Sequence, residues 1–510
     1  MWTEGYVSEV GYTFGYYPEM NPVRIRLTHT LSGFAPPAIR AGCELGYGQG
    51  LSINMHAAAN PDVEWWGTDF NPAQASFARE LAATGTTARL FDYSFEEFVS
   101  ATDQPEFDLA CLHGIWSWIS DENRSRIAAF LKRKLAVGGA AYVSYNCLPG
   151  WAPLWPLRQL MCQHAAVVGA QSQGIVERID GALAFIDRLF AVNAGYVRQN
   201  PALKQRFEGM QKANRHYLAH EYLNEDWHLC TFSELAATLG ASKLSFTCSA
   251  DLRELLPQVL FTEEQRALLA EVADEVLRVQ VQDYLLNQQF RRDYFIRGRR
   301  RLSRTARDAA LRSERFVALR AIEDVEYKAK MPVGEITLPE ATYRPIIEFF
   351  SSDAPKSIAA LTEALPHGKL KLSQVIEAVV LLCAMGVLSP THRDDATIDV
   401  ARPRCRGLND HILQLARSSG DIQFLASPVT GGGIGVSRFH QLFLTARQSG
   451  RKSAKELATF VAHGLAEEGE RILKDGKPVT TVDDAIAELG PQAARFIDRV
   501  LPVLGRLGIA

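Results

Sequence analysis

Over the first 150 residues, short apolar runs alternate with longer segments of helical spacing. The runs lie at about 40–45, 63–69, 88–91, 107–112 and 140–145. They carry few polar residues, as strands buried on both faces do. The spacing between them predicts helices at 22–32, 51–59, 73–84, 94–99 and 121–135. Asn60-Pro61 closes the second of these, because the residue before proline is driven out of the helical region. Asn71-Pro72 opens the third with a cap and a first-turn proline. Strands alternating with helices in this way predict a doubly wound parallel sheet.

Five strands leave that sheet unfinished at Trp151. Trp227–Cys230 and Leu244–Cys248 are the expected sixth and seventh strands, with a helix capped by Thr231 between them. The intervening stretch, about 152–219, is then a helical insertion. Residues 252–325 read as helices rich in Leu, Glu, Gln and Arg, and 328–343 as a linker. Pro355–Leu365, Ser373–Met385 and a strand from Val387 resemble a winged-helix unit. Its second helix has no Arg, Lys or Asn to read bases, so it is expected to contact protein. The remainder, 405–510, reads as helical, with Gly431-Gly432-Gly433 as a loop. The expected division is 1–252, 253–330 and 331–510.

Composition narrows the class. The chain has 510 residues, 47% hydrophobic and 22% charged, with a formal net charge of −3. That balance gives no general attraction to nucleic acid or to anionic membranes. No apolar run reaches the ~18–20 residues of a membrane span. The 8 cysteines form no CxxC pair, which reads as reduced thiols in the cytoplasm, with neither a disulfide frame nor a metal site.

Chemistry concentrates in the strand ends. Cys43-Glu44-Leu45-Gly46-Tyr47-Gly48-Gln49-Gly50 is a glycine-rich turn, and Asp69 ends the next strand about twenty residues on. This pairing describes a nucleotide cradle in a βαβ unit. Glycines let the backbone approach the ligand, and the carboxylate grips ribose hydroxyls. Asp92 ends the third strand, where it either accepts a bond from an adenine amine or caps the helix that follows. His113-Gly114-Ile115-Trp116-Ser117-Trp118 follows the fourth strand, at the end where an open α/β sheet binds ligands. The aromatic stretch Tyr6, Tyr12, Phe14, Tyr16 and Tyr17 either packs on the core or folds across the ligand.

Glu44 with its glycines and Asp69 resembles the first motif of class I S-adenosylmethionine methyltransferases. The wider set is Gly67-Thr68-Asp69-Phe70, the HGIWSW segment, Tyr142-Val143-Ser144-Tyr145-Asn146, Pro149-Gly150-Trp151, His220-Glu221-Tyr222-Leu223 and Gln282–Arg292. It resembles the group that carries a methyltransferase regulatory domain, among them bacterial protein-lysine methyltransferases of rickettsial outer-membrane protein B. The chain departs from that group at Glu19-Met20-Asn21-Pro22, where a Thr-His-Pro is more usual.

The resemblance implies a Rossmann-like seven-stranded methyltransferase core with S-adenosylmethionine as cofactor. Glu44, Gly46, Tyr47, Gly48, Gly50, Asp69, Phe70, Asp92 and His113 are the expected cofactor residues. His113, Trp116, Tyr145 and Asn146 are expected to line the methyl-transfer site, and Tyr12, Trp118, Trp151 and Glu221 to meet the substrate. It further implies a bacterial enzyme that methylates lysine side chains of a protein, such as a surface or outer-membrane protein, with a homodimer possible. The alternatives are a small-molecule or sugar methyltransferase and a regulatory protein that keeps the cofactor fold without catalysis.

Overall fold

The computed structural model describes residues 13–168, 174–366, 370–474 and 477–510. Its centre is a seven-stranded sheet: β1 Ala41–Leu45, β2 Glu64–Thr68, β3 Arg89–Phe91, β4 Phe107–Leu112, β5 Leu135–Asn146, β6 Leu244–Ser249 and β7 Phe290–Arg297. The spatial order is β3-β2-β1-β4-β5-β7-β6, and β7 runs antiparallel to both its neighbours. The chain leaves β1 toward β3 and then returns past it to β4. The carboxyl ends of β1 and β4 therefore flank the point where the winding reverses, which is where open α/β sheets bind ligands.

Helices α1 Pro22–Leu31, α2 Leu51–Ala59, α3 Pro72–Ala82, α4 Phe95–Ser100 and α5 Asp121–Lys134 fall where the apolar spacing puts them. Asn71 caps α3 with its side chain, and Ser94 and Glu97 close a capping box at the start of α4. Each device satisfies backbone N–H groups that a helix start leaves unpaired.

The sheet differs from expectation in its last strands. Trp227–Cys230 is not a strand; only Cys230 makes an isolated bridge, to Cys147. The missing strand is Phe290–Arg297, in a stretch that reads as helical. Its charges are buried and neutralised. The Arg291 guanidinium meets Asp283 at 2.5 Å and Asp293 at 2.7 Å, and Asp293 also accepts from the Tyr145 hydroxyl at 2.8 Å. Arg292 reaches Glu19 at 2.7 Å. Of the arginines after it, the guanidinium groups of Arg299 and Arg301 lie over the Phe34 ring.

The insertion is helical as expected, with helices Trp155–Val167, Ile175–Ala191, Gly195–Gln199, Ala202–Lys212 and Arg215–Tyr222 around a core of their own. Residues 328–343 hold a small hairpin, Lys328–Met331 with Gly334–Thr337, and the start of a helix, in place of a linker. Helices Ile358–Ala364 and Leu372–Ala384 and strand Leu388–Pro390 follow the expected pattern. The middle strand of their sheet is Arg315–Ala318, from upstream, and no wing strand follows Pro390 before the helix Asp395–Leu415.

Gly431-Gly432-Gly433 is not a free loop. Phe424–Ser427 and Gly432–Gly435 form a hairpin that packs on α2. The Asn60 amide donates to the Gly431 carbonyl at 2.7 Å, and the Asn21 amide to the Thr430 carbonyl at 2.9 Å. A Cβ on Gly432 would overlap the Tyr16 hydroxyl. One apolar core therefore joins Tyr16, Leu51 and Met55 to Leu408, Leu425 and Phe443. Among the described residues, no helix is long and apolar enough to cross a membrane.

Candidate active site

The site begins where β1 ends. Gly46, Gly48 and Gly50 have φ of 76°, 57° and 70°, a region open to glycine at little cost. At Gly46 a Cβ would also collide with Ile115. The turn is pinned from β2: the Gly46 N–H donates to the Thr68 carbonyl at 2.8 Å, and the Gly48 N–H to Asp69 Oδ2 at 2.8 Å. Asp69 Oδ1 accepts from the Asn71 N–H at 3.0 Å. Burial pushes the Asp69 carboxyl up to about 6, against the pull of these two N–H groups.

Glu44 lies beneath the turn, 2% exposed. Burial first, and Asp69 second, push its carboxyl up to about 8. Its Oε2 has no hydrogen-bond partner among the described residues. Buried acceptors are nearly always satisfied, so an orphan beside a cavity marks a place for a donor from a ligand. A nest of glycines, a carboxylate lacking a donor and a second carboxylate at the next strand end fit a nucleoside with an ammonium group.

His113 follows β4. Its Nδ1 shares a 2.9 Å hydrogen bond with the Tyr142 hydroxyl, and Tyr17 stacks on its ring with centroids 3.5 Å apart. Phe290 meets the ring edge-on at 6.3 Å. Burial, helped by Arg292, lowers the imidazole to about 3, so it is neutral at physiological pH. Tyr17 is held by the start of α2: its N–H donates to Ser52 Oγ at 3.0 Å, and that hydroxyl donates to the Gly15 carbonyl at 3.2 Å.

One cavity collects half of the expected residues. Glu44, Gly46, Tyr47, Gly48, Asp69, Phe70, His113 and Trp118 line it. Gly50 stands behind as the cap of α2, pressed against Ala78. Asp92 is elsewhere. Its carboxylate meets Arg79 at 2.7 Å on the surface, and that bond holds it below the usual range. Tyr93, Ser94 and Phe95 form the wall in its place.

Trp116, Tyr145 and Asn146 are also outside the cavity wall. Trp116 is core, and Tyr145 faces Asp293. The Asn146 N–H donates to Ser117 Oγ at 2.8 Å. Trp151 and Glu221 lie toward the insertion, where burial raises the Glu221 carboxyl to about 7. Tyr12 falls outside the described residues.

Sequence reasoning did not single out Tyr142, Asn123 or the wall at Tyr93–Phe95. A signal for Tyr142 existed. Strand alternation puts Tyr142 and Ser144 on one face and Tyr145 on the other. Tyr142 bonds His113, and Ser144 Oγ accepts from the Gly114 N–H at 2.7 Å.

Residues 214–297 match a family described as "Predicted methyltransferase regulatory domain". The chain is 36% identical over 515 residues to the Synechocystis sp. protein sll1526, and the match covers 100% of both. The Rickettsia prowazekii protein RP789 is 27% identical over 301 residues, 56% of this chain and 51% of that one. Among solved structures, that of PKMT2 from Rickettsia typhi in complex with AdoHcy superposes with a TM-score of 0.68. The identity is 17%, covering 95% of this chain and 98% of that one.

Proposed function

We propose an acceptor for this chain, which belongs to one family with the Synechocystis protein sll1526 and is by fold an S-adenosylmethionine-dependent methyltransferase: it N-methylates lysine side chains of a protein. The unpartnered Glu44 carboxylate under the glycine turn supports the cofactor. When bound, S-adenosylmethionine supplies an electrophilic methyl group on a sulfonium. Glu44 would accept from its amino-acid ammonium and Asp69 from its ribose hydroxyls, with the backbone of Gly46 and Gly48 leaving room for the same ligand. Tyr93 and Phe95, on the cavity wall, would flank the base.

The lining about His113 carries the reading of the acceptor. Methyl transfer needs a free amine, and a lysine with an ordinary pKa near ~10.4 arrives charged. Tyr17, Trp118 and a neutral His113 line the cavity, with Phe290 at the imidazole edge, and desolvation there favours the free amine over the ammonium ion. Tyr142 holds the imidazole in place, and the arm carrying Tyr17 excludes water. The site therefore works by positioning and desolvation more than by a strong base.

The test is incubation with methyl-labelled cofactor and a bacterial lysate. Label recovered as methyl-lysine after protein hydrolysis is expected, and label found solely in small metabolites refutes the protein acceptor. Asp69→Ala should abolish cofactor binding by calorimetry; unchanged affinity refutes the ribose assignment.

A further inference from the structure

A second cavity, of about 230 Å³, lies between the helical insertion and the start of β7. Its wall includes Trp151, Arg206, Tyr217, Tyr222 and Gln289. Trp, Tyr and Arg are the residues that dominate protein recognition sites. None of the five lines the cofactor cavity.

Two buried donors here lack an acceptor among the described residues, Arg206 Nη1 and Trp151 Nε1. Arg206 Nη2 donates to the Gly150 carbonyl at 2.9 Å, and its guanidinium lies over the Trp151 ring at 5.3 Å. No carboxylate pairs with Arg206 among the described residues. Glu221 shares a helix with Tyr217 and Tyr222, but burial holds it toward its neutral form. Buried donors are usually satisfied, and a carboxylate can accept from a guanidinium and a neighbouring indole N–H together.

The two cavities are connected by aromatic rings. Trp118, on the cofactor cavity, stacks with Trp227 at 6.0 Å, and Trp227 meets Trp151 edge-on at 5.4 Å. An extended chain covers that path in about three or four residues at ~3.3–3.6 Å each. On the other side, Gln289 of the second cavity is followed at once by Phe290, which touches His113.

We propose that this second cavity receives an Asp or Glu of the polypeptide acceptor, about three or four residues from the target lysine. The carboxylate takes the free donors of Arg206 and Trp151, and a neighbouring apolar side chain packs on Tyr217 and Tyr222. The proposal rests on the protein-lysine reading above.

An oriented library of lysine-centred peptides, methylated in parallel with a bacterial lysate, tests it. The wild-type enzyme should prefer an acidic residue at one flanking position by about tenfold in kcat/KM, mostly through KM. Arg206→Gln should lose the preference, and Arg206→Glu should turn it toward Lys or Arg. Cofactor affinity by calorimetry should be unchanged in both variants, which shows an intact fold. Lysine methylation without an acidic preference, or an Arg206→Glu enzyme that retains it, overturns the site while the acceptor class stands. Label confined to small metabolites in the lysate overturns both.

Discussion

Glu44 is the residue on which the site's pH behaviour turns. Its carboxyl sits at about 8, well above the ordinary carboxylate range, because it is buried beside Asp69. Between about pH 4 and 8 the folded, ligand-free chain therefore holds a proton that the unfolded chain has released. Its stability should fall as pH rises through that window. An ammonium group favours the carboxylate and expels that proton. The advantage of wild type over Glu44→Gln in cofactor affinity should thus grow with pH up to about 8, by at most roughly tenfold per unit, and then level. Calorimetry of both proteins across that range checks it; a constant ratio removes Glu44 from the ammonium. That Glu44, Gly46, Asp69 and His113 meet at one cavity was legible because each sits at or next to a strand end set by local spacing. Asp92 was not, because Arg79 at the end of α3 draws its side chain away. Trp116 and Tyr145 share their segments with true wall residues and differ only in the face they occupy.

At the scale of elements, β1 to β5 announce themselves as apolar runs. β7 does not. It opens Phe290-Arg291-Arg292-Asp293, a pattern that reads as a charged surface. It is tolerated inside because Asp283 and Asp293 surround Arg291, Glu19 meets Arg292 and Tyr145 donates to Asp293. Asp293 lies in the strand itself, but Asp283, Glu19 and Tyr145 come from three other segments, so the local pattern reveals only part of the network. Removing one member leaves buried charge uncompensated, which costs about 3–5 kcal/mol. Arg291→Ala should lower stability by that amount in thermal or denaturant unfolding. A loss under 1 kcal/mol would mean that the strand does not depend on the network. The strand also carries Phe290 to the edge of His113, so the same variant should reduce methyl transfer at temperatures where it remains folded.

For the whole molecule, the far end of the chain completes the near end. The hairpin at Phe424–Gly435 packs against Tyr16 and α2, next to the arm that lays Tyr17 on His113. The three glycines looked like a loop because the reason for them, close approach to Tyr16, Asn21 and Met55, lies far away in sequence. Gly432→Val should overpack that contact at ~1–3 kcal/mol. The arm relieves the strain by lifting, and cofactor affinity should fall roughly five- to hundredfold by calorimetry. Unchanged affinity would mean that the arm is held by Ser52 alone. The arrangement also sets a clock on synthesis. The glycine turn, Asp69 and His113 leave the ribosome before the hairpin that braces the arm, which follows Tyr16 by about 400 residues. At ~5–20 residues per second, a nascent chain spends about 20–80 s with an open, unbraced site, so each polypeptide becomes competent only once the hairpin has been made.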